Sequence, residues 1–172
     1  MDEAAPAALK QVLLQKIYVK DASIEVPGAP GVYARQWKPN VDVQVGTAIN
    51  NAGNNGGVEN FQVVLTVTVT AKIEEDVAFL AEVQQAGLFS LRGITDGNER
   101  GAILGGYCPG VLFPFAREFI ASSVGHAGFP PVLLQPINFE VLYQQSLQQA
   151  KAQQAQGAGS GNGGVPPGVR TQ

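Results

Sequence analysis

One cysteine, one histidine, one methionine and one tryptophan are all that 172 residues hold of those four types. Cys108 alone can form neither an intrachain disulfide nor a cysteine-rich metal site. It reads as a small apolar filler beside Pro109, with no His or Asp close in sequence to activate it as a nucleophile. His126 follows a long apolar run near a helix C-terminus, where an imidazole suits the dipole and needs no catalytic role. Gly101–Gly106 lacks the Lys-Ser/Thr ending of a phosphate loop. Glu74-Glu75-Asp76 reads as a charged turn rather than a cation site. Neither an enzyme, a cofactor nor a metal is expected. Charge is also scarce, at 15% of residues, against about a quarter in ordinary domains. With 11 basic and 14 acidic residues the net charge is −3. The Lys and Arg form no stripe, which argues against nucleic acid as a partner. No apolar run approaches the ~18 residues of a membrane span, and the acidic start, Met1-Asp2-Glu3, lacks a signal segment. A soluble, cytoplasmic chain that does not insert into membranes is expected.

What the chain has in quantity is apolar surface: 45% hydrophobic residues, with eight Phe and four Tyr. Val111–Val124 reads as a helix apolar almost all round. Leu112, Phe115, Ala116 and Phe119 fall on one face by spacings of three and four, while Phe113, Ile120 and Val124 point elsewhere. A surface helix needs only one apolar stripe, and each Phe left in water forgoes roughly 2–3 kcal/mol of burial. The helix therefore asks for cover on a second side, and another copy of the chain is the expected source.

Four strands precede it. Leu13–Val26 places Asp21, Ser23 and Glu25 on one face by the period of two. A Pro- and Gly-broken loop through about Pro39 carries Tyr33 and Trp37. Val41, Val43 and Val45 alternate with polar residues, and Asn50–Gly57 reads as a flexible hairpin tip. Phe61–Lys72 alternates Val and Leu with Thr. Val77–Leu91 sets Phe79, Ala81 and Val83 on one face against Leu80, Glu82 and Gln84 on the other. Strands followed by helices predict an α+β fold, a four-stranded antiparallel sheet with helices on one face. Asp96 or Asn98 is expected to cap a short helix through Gly106. Asn138 caps a last one marked by Phe139, Leu142, Tyr143 and Leu147. Residues 1–10 are expected to be a flexible tail, 11–156 the folded domain and 157–172 a disordered Gly/Pro-rich tail.

Two features are left for binding. Asp21, Glu25, Leu80 and Glu82 make an acidic sheet face, which on pattern alone is either ordinary solvated surface or a docking site. Tyr33, Trp37, Phe139, Leu142 and Tyr143 put aromatic and apolar side chains on mobile or marginal elements, as core or as a binding groove.

Several separated segments carry a resemblance to a known family. They are Ile17–Pro27, Trp37, Ala78–Gly87, Tyr107-Cys108-Pro109, Leu112–Glu118 and Gln135–Phe139, in order across about residues 13–145. Together they closely resemble SecB, the bacterial protein-export chaperone family. The resemblance implies a homotetramer, a dimer of dimers with the Val111–Val124 helices between two sheets. It places Phe79, Ala81, Val83, Gln85, Phe115 and Phe119 at contacts between copies. It assigns Asp21, Glu25, Leu80 and Glu82 to docking of the motor ATPase SecA. Tyr33, Trp37, Phe139, Leu142 and Tyr143 would line a groove for unfolded precursor proteins. Two other functions stay open: a chaperone of a toxin–antitoxin pair on the same fold, and a carrier of a small apolar ligand. From Val141 onward there is no Asp or Glu, so no strong electrostatic role is expected of the tail.

Overall fold

The computed structural model describes residues 9–158, so the expected tails lie almost wholly outside it. Strands β1 (Gln11–Glu25), β2 (Asn40–Asn55), β3 (Val58–Ile73) and β4 (Asp76–Arg92) form one antiparallel sheet in the order β1-β4-β3-β2. The chain crosses from one edge to the other between β1 and β2, through a loop with a 3-10 turn at Gly31–Ala34. Helices α1 (Gly97–Ala102), α2 (Cys108–His126) and α3 (Phe139–Ala158) follow. Gly157 and Ala158, expected in the tail, are thus helical.

Alternation decides which face of the sheet is covered. Val63, Leu65, Val67 and Val69 of β3, and Phe79, Ala81 and Val83 of β4, are fully buried beneath α2. Gly87 belongs to the same face. A side chain there would meet Phe89 at 2.6 Å and Leu112 at 2.9 Å, so the absent side chain lets α2 approach β4.

The hairpin between β2 and β3 is tighter than expected. Asn50–Asn55 stay in the strand, with a bulge between Asn51 and Asn54, and only Gly56-Gly57 turn. Both glycines have positive φ, 59° and 78°, as a two-residue hairpin favours. Asn50 donates to Gln62 across the ladder at 3.0 Å, so the amide side chains pair along the strands instead of loosening them.

The helical region also departs from expectation. Asp96 is the cap, accepting from the Glu99 amide at 2.7 Å. The helix then does not break at Cys108-Pro109. It widens into a π turn over Ile103–Tyr107 and continues as α2. Pro109, which can donate no backbone hydrogen bond, directly follows the widened turn.

The buried ridge of α2 is Cys108, Leu112, Ala116, Ile120 and Val124, with Phe113 beside it. Its members are four residues apart. At 3.6 residues per turn such a row drifts roughly 40° per step, the slant of an i±4 ridge. Phe115 and Phe119, expected to share a face with Leu112 and Ala116, instead lie off the ridge. Phe115 is 49% exposed and Phe119 half-buried.

Candidate functional site

One helix cannot roof four strands. Strands lie about 4.8 Å apart and a helix with its side chains is about 10–12 Å across, so α2 covers β4 and β3 and leaves both margins open. Along β1 the inward-facing Leu14, Val19 and Ile24 stay exposed. Along β2 the same holds for Val41, Val43 at 40% and Ile49 at 43%. The protein thus carries two apolar margins, each beside a sheet edge with unpaired backbone groups.

The β2 margin has a boundary at each end. At one end, Trp37 stacks on Phe79 (6.4 Å) and Phe129 (5.1 Å). Tyr33 tilts against Phe129 at 5.2 Å and donates to the Ala127 carbonyl at 2.8 Å. Arg35 fastens this loop to the β3–β4 turn, pairing with Glu74 at 2.7 Å and Asp76 at 2.9 Å. At the other end lies a pocket of about 340 Å³ lined by Val45, Thr47, Ile49, Gly105, Phe139, Leu142, Tyr143 and Ser146. Asn138 caps α3 through the Val141 amide at 3.1 Å. Phe139 is buried against Phe113, whereas Leu142 stays exposed.

The five aromatic and apolar residues singled out from the sequence therefore do not share one cavity. Tyr33 and Trp37 stand at one end of the margin, Phe139, Leu142 and Tyr143 at the other, and the valines of β2 span the distance. Those valines were missed as site residues because alternation reads them as core. Only the one-helix roof leaves them open.

The acidic residues do come together. Strand register pairs Asp21 with Gln84, Ser23 with Glu82 and Glu25 with Leu80. Cross-strand partners share a face, so Leu80 and Glu82 sit flanked by Asp21 and Glu25 on the side of the sheet away from α2. Thr68 donates to the Glu82 carboxylate at 2.7 Å. Asp42 of β2 stands opposite Thr70, in the same row as Leu80 and Glu25, and extends the acidic face. The alternation of β2 had placed it there without its being singled out.

Phe79, Ala81, Val83 and Gln85, expected at contacts between copies, have 0%, 0%, 0% and 3% of their surface exposed within the single chain. Gln85 donates to the Tyr18 carbonyl at 3.0 Å. As folded, these four pack inside the single chain beneath α2. The outward residues of this region are Phe115 and its neighbours on α2.

Cys108 is buried, and burial pushes its thiol up to about 12. Almost no thiolate exists near neutral pH. We expect a thiol-reactive dye to leave Cys108 unmodified in the native protein at pH 8 and to react fully once denaturant unfolds it. Rapid native labelling would contradict the packing of α2. Among the described residues no His/Cys/Asp/Glu cluster could hold a metal ion, and no helix is long and apolar enough to cross a membrane.

The fold is an α+β sheet with open apolar margins on one face and an acidic patch on the other. Residues 5–150 match the family model described as preprotein translocase subunit SecB. A protein-export protein SecB of Chromobacterium violaceum is 54% identical over 140 residues, covering 81% of this chain and 90% of its own. One from Alcanivorax borkumensis is 49% identical over 144 residues, covering 83% and 89%. A solved Mycobacterium tuberculosis SecB-like chaperone, in complex with an antitoxin peptide, shares the fold at a TM-score of 0.60 and 18% identity. That match covers 73% of this chain and 90% of the other. The chain belongs to the SecB family of protein-export chaperones.

Proposed function

We propose that the chain holds unfolded precursor proteins along the β2 margin and delivers them to SecA through the acidic back of the sheet. The observation that carries this reading is the open apolar trough. From Val41 to Ile49 it runs eight residues, about 26 Å at ~3.3 Å per residue, long enough for a stretch of extended polypeptide of similar length. Broad apolar contact with few directional demands accepts many sequences. A folded protein buries the segments that would fill such a trough, so selectivity for the unfolded state follows from geometry. A small-ligand carrier would call for an enclosed cavity, which this margin is not. The relatives with high identity are named for protein export, which favours export over a toxin–antitoxin role.

Assembly fits the same plan. The long β1 edge with its apolar margin suits pairing of two copies. The outer side of α2, with Phe115, Phe119 and Val111, suits stacking of two such dimers. The four-copy assembly would have a mass of about 72 kDa, four times 18.0 kDa.

The test is a titration with a slow-folding precursor, presented unfolded and then native. Binding is expected only for the unfolded form. Val43→Asp should weaken it at least tenfold, because a carboxylate would lose hydration under an apolar segment. Equal binding of native and unfolded precursor would overturn the reading.

A further inference from the structure

We propose that Gly101 and Gly105 form a notch that seats Tyr143, and that this seat sets how α3 stands over the β2 margin. The inference rests on that margin being the client site and adds the residues that position its cover. Helix α3 is held mainly by the π turn and barely touches α2. Its first turn is fixed by the Asn138 cap and buried Phe139. One turn later comes Tyr143, and from Gln144 to Ala155 every residue is exposed. Tyr143 is the last anchor before the helix runs free, and its ring also lines the pocket against Val45 and Ile49.

The notch has a specific shape. Residues four apart on a helix lie on one face, about 6 Å from each other, and the tyrosine lies across both glycines. A side chain at Gly101 would collide with the Tyr143 hydroxyl oxygen, and the next nearest atom, Cζ, would be 3.4 Å away. A side chain at Gly105 would collide with the ring edge, Cδ2 and Cε2. The two glycines therefore accommodate different atoms of the same side chain.

Gly101→Ala and Gly105→Ala, each alone and combined with Tyr143→Phe, test this in the full-length protein. Hydrogen exchange of the α3 amides is read alongside that of β3, which reports on the fold. Binding and release of a reduced, carboxymethylated, permanently unfolded polypeptide are measured on the same samples. Alanine favours helix over glycine, and both positions lie in α1 and the π turn, so without a seat neither substitution would speed α3 exchange. The seat requires the opposite: α3 exchange rises about tenfold in both single variants, β3 exchange is unchanged, and the polypeptide is released severalfold faster. Removing the Tyr143 hydroxyl should restore Gly101→Ala and leave Gly105→Ala impaired. Slower or unchanged α3 exchange, or rescue of both variants alike by Tyr143→Phe, would overturn the seat. If a variant loses β3 protection as well, the β3-normalised exchange of the Tyr143→Phe rescue pair decides. A wild type that binds no unfolded polypeptide would sink the client reading, while the exchange pattern would still judge the seat.

Discussion

Glu82→Lys should abolish association with SecA while leaving the mass of the assembly and its hold on unfolded protein intact. Glu82 sits mid-sheet, opposite Ser23, with Asp21 and Glu25 on the adjoining rows of β1. Reversing its sign would set a lysine against a basic docking partner. Wrong-sign juxtaposition costs several kcal/mol, which at about 1.4 kcal/mol per decade is on the order of hundredfold or more in affinity. The fold has little to lose. Glu82 gives up one hydrogen bond from Thr68, and a lysine there gains two nearby carboxylates. The loss should be greatest at low salt, where screening is weak. Calorimetric titration of SecA against wild type and variant measures it, and Thr68→Val is the companion. That variant keeps the charge and frees only the carboxylate's orientation, so it should weaken SecA binding by a few-fold at most. A correctly assembled Glu82→Lys protein with wild-type SecA affinity would remove the acidic face from the docking role.

The acidic face was legible in the sequence because strand alternation is a strict period. Once Asp21 and Glu25 share a parity and Leu80 and Glu82 share another, only the register between β1 and β4 remains to be settled, and the fold settles it. The resemblance to SecB had named the same four residues. Helix α2 was harder to read. Leu112, Phe115, Ala116 and Phe119 obey spacings of three and four as well as the true ridge does, and an all-round apolar helix offers no polar stripe to choose between them. The choice is made by packing on the sheet, which buries the i±4 row. The π turn left no local signal beyond two glycines and a proline, which read equally well as a break. The β2 margin was misread for a different reason. Alternation says which side of a strand faces the helical layer, but not whether that layer is wide enough to reach it.

Phe115→Asp should split the assembly in half. Phe115 projects from the outer side of α2, 49% exposed, in a helix whose other side is committed to the sheet. If two dimers stack through these helices, symmetry places each copy of Phe115 near the same patch on another subunit. Aspartate there loses apolar contact, buries a carboxylate and brings like charges together, costing several kcal/mol at each contact. Contacts along β1 lie at the sheet edge, away from this surface, and should persist. The expected result by light scattering is a fall from about 72 kDa to about 36 kDa, four and two times 18.0 kDa. Circular dichroism should stay unchanged, because Phe115 contributes nothing to the buried ridge. Phe115→Leu, which keeps the surface apolar, should remain at the larger mass. A wild type that is monomeric at micromolar concentration would refute the need for a second layer of cover. An aspartate variant that stays at the larger mass would move the contact between dimers off the outer face of α2.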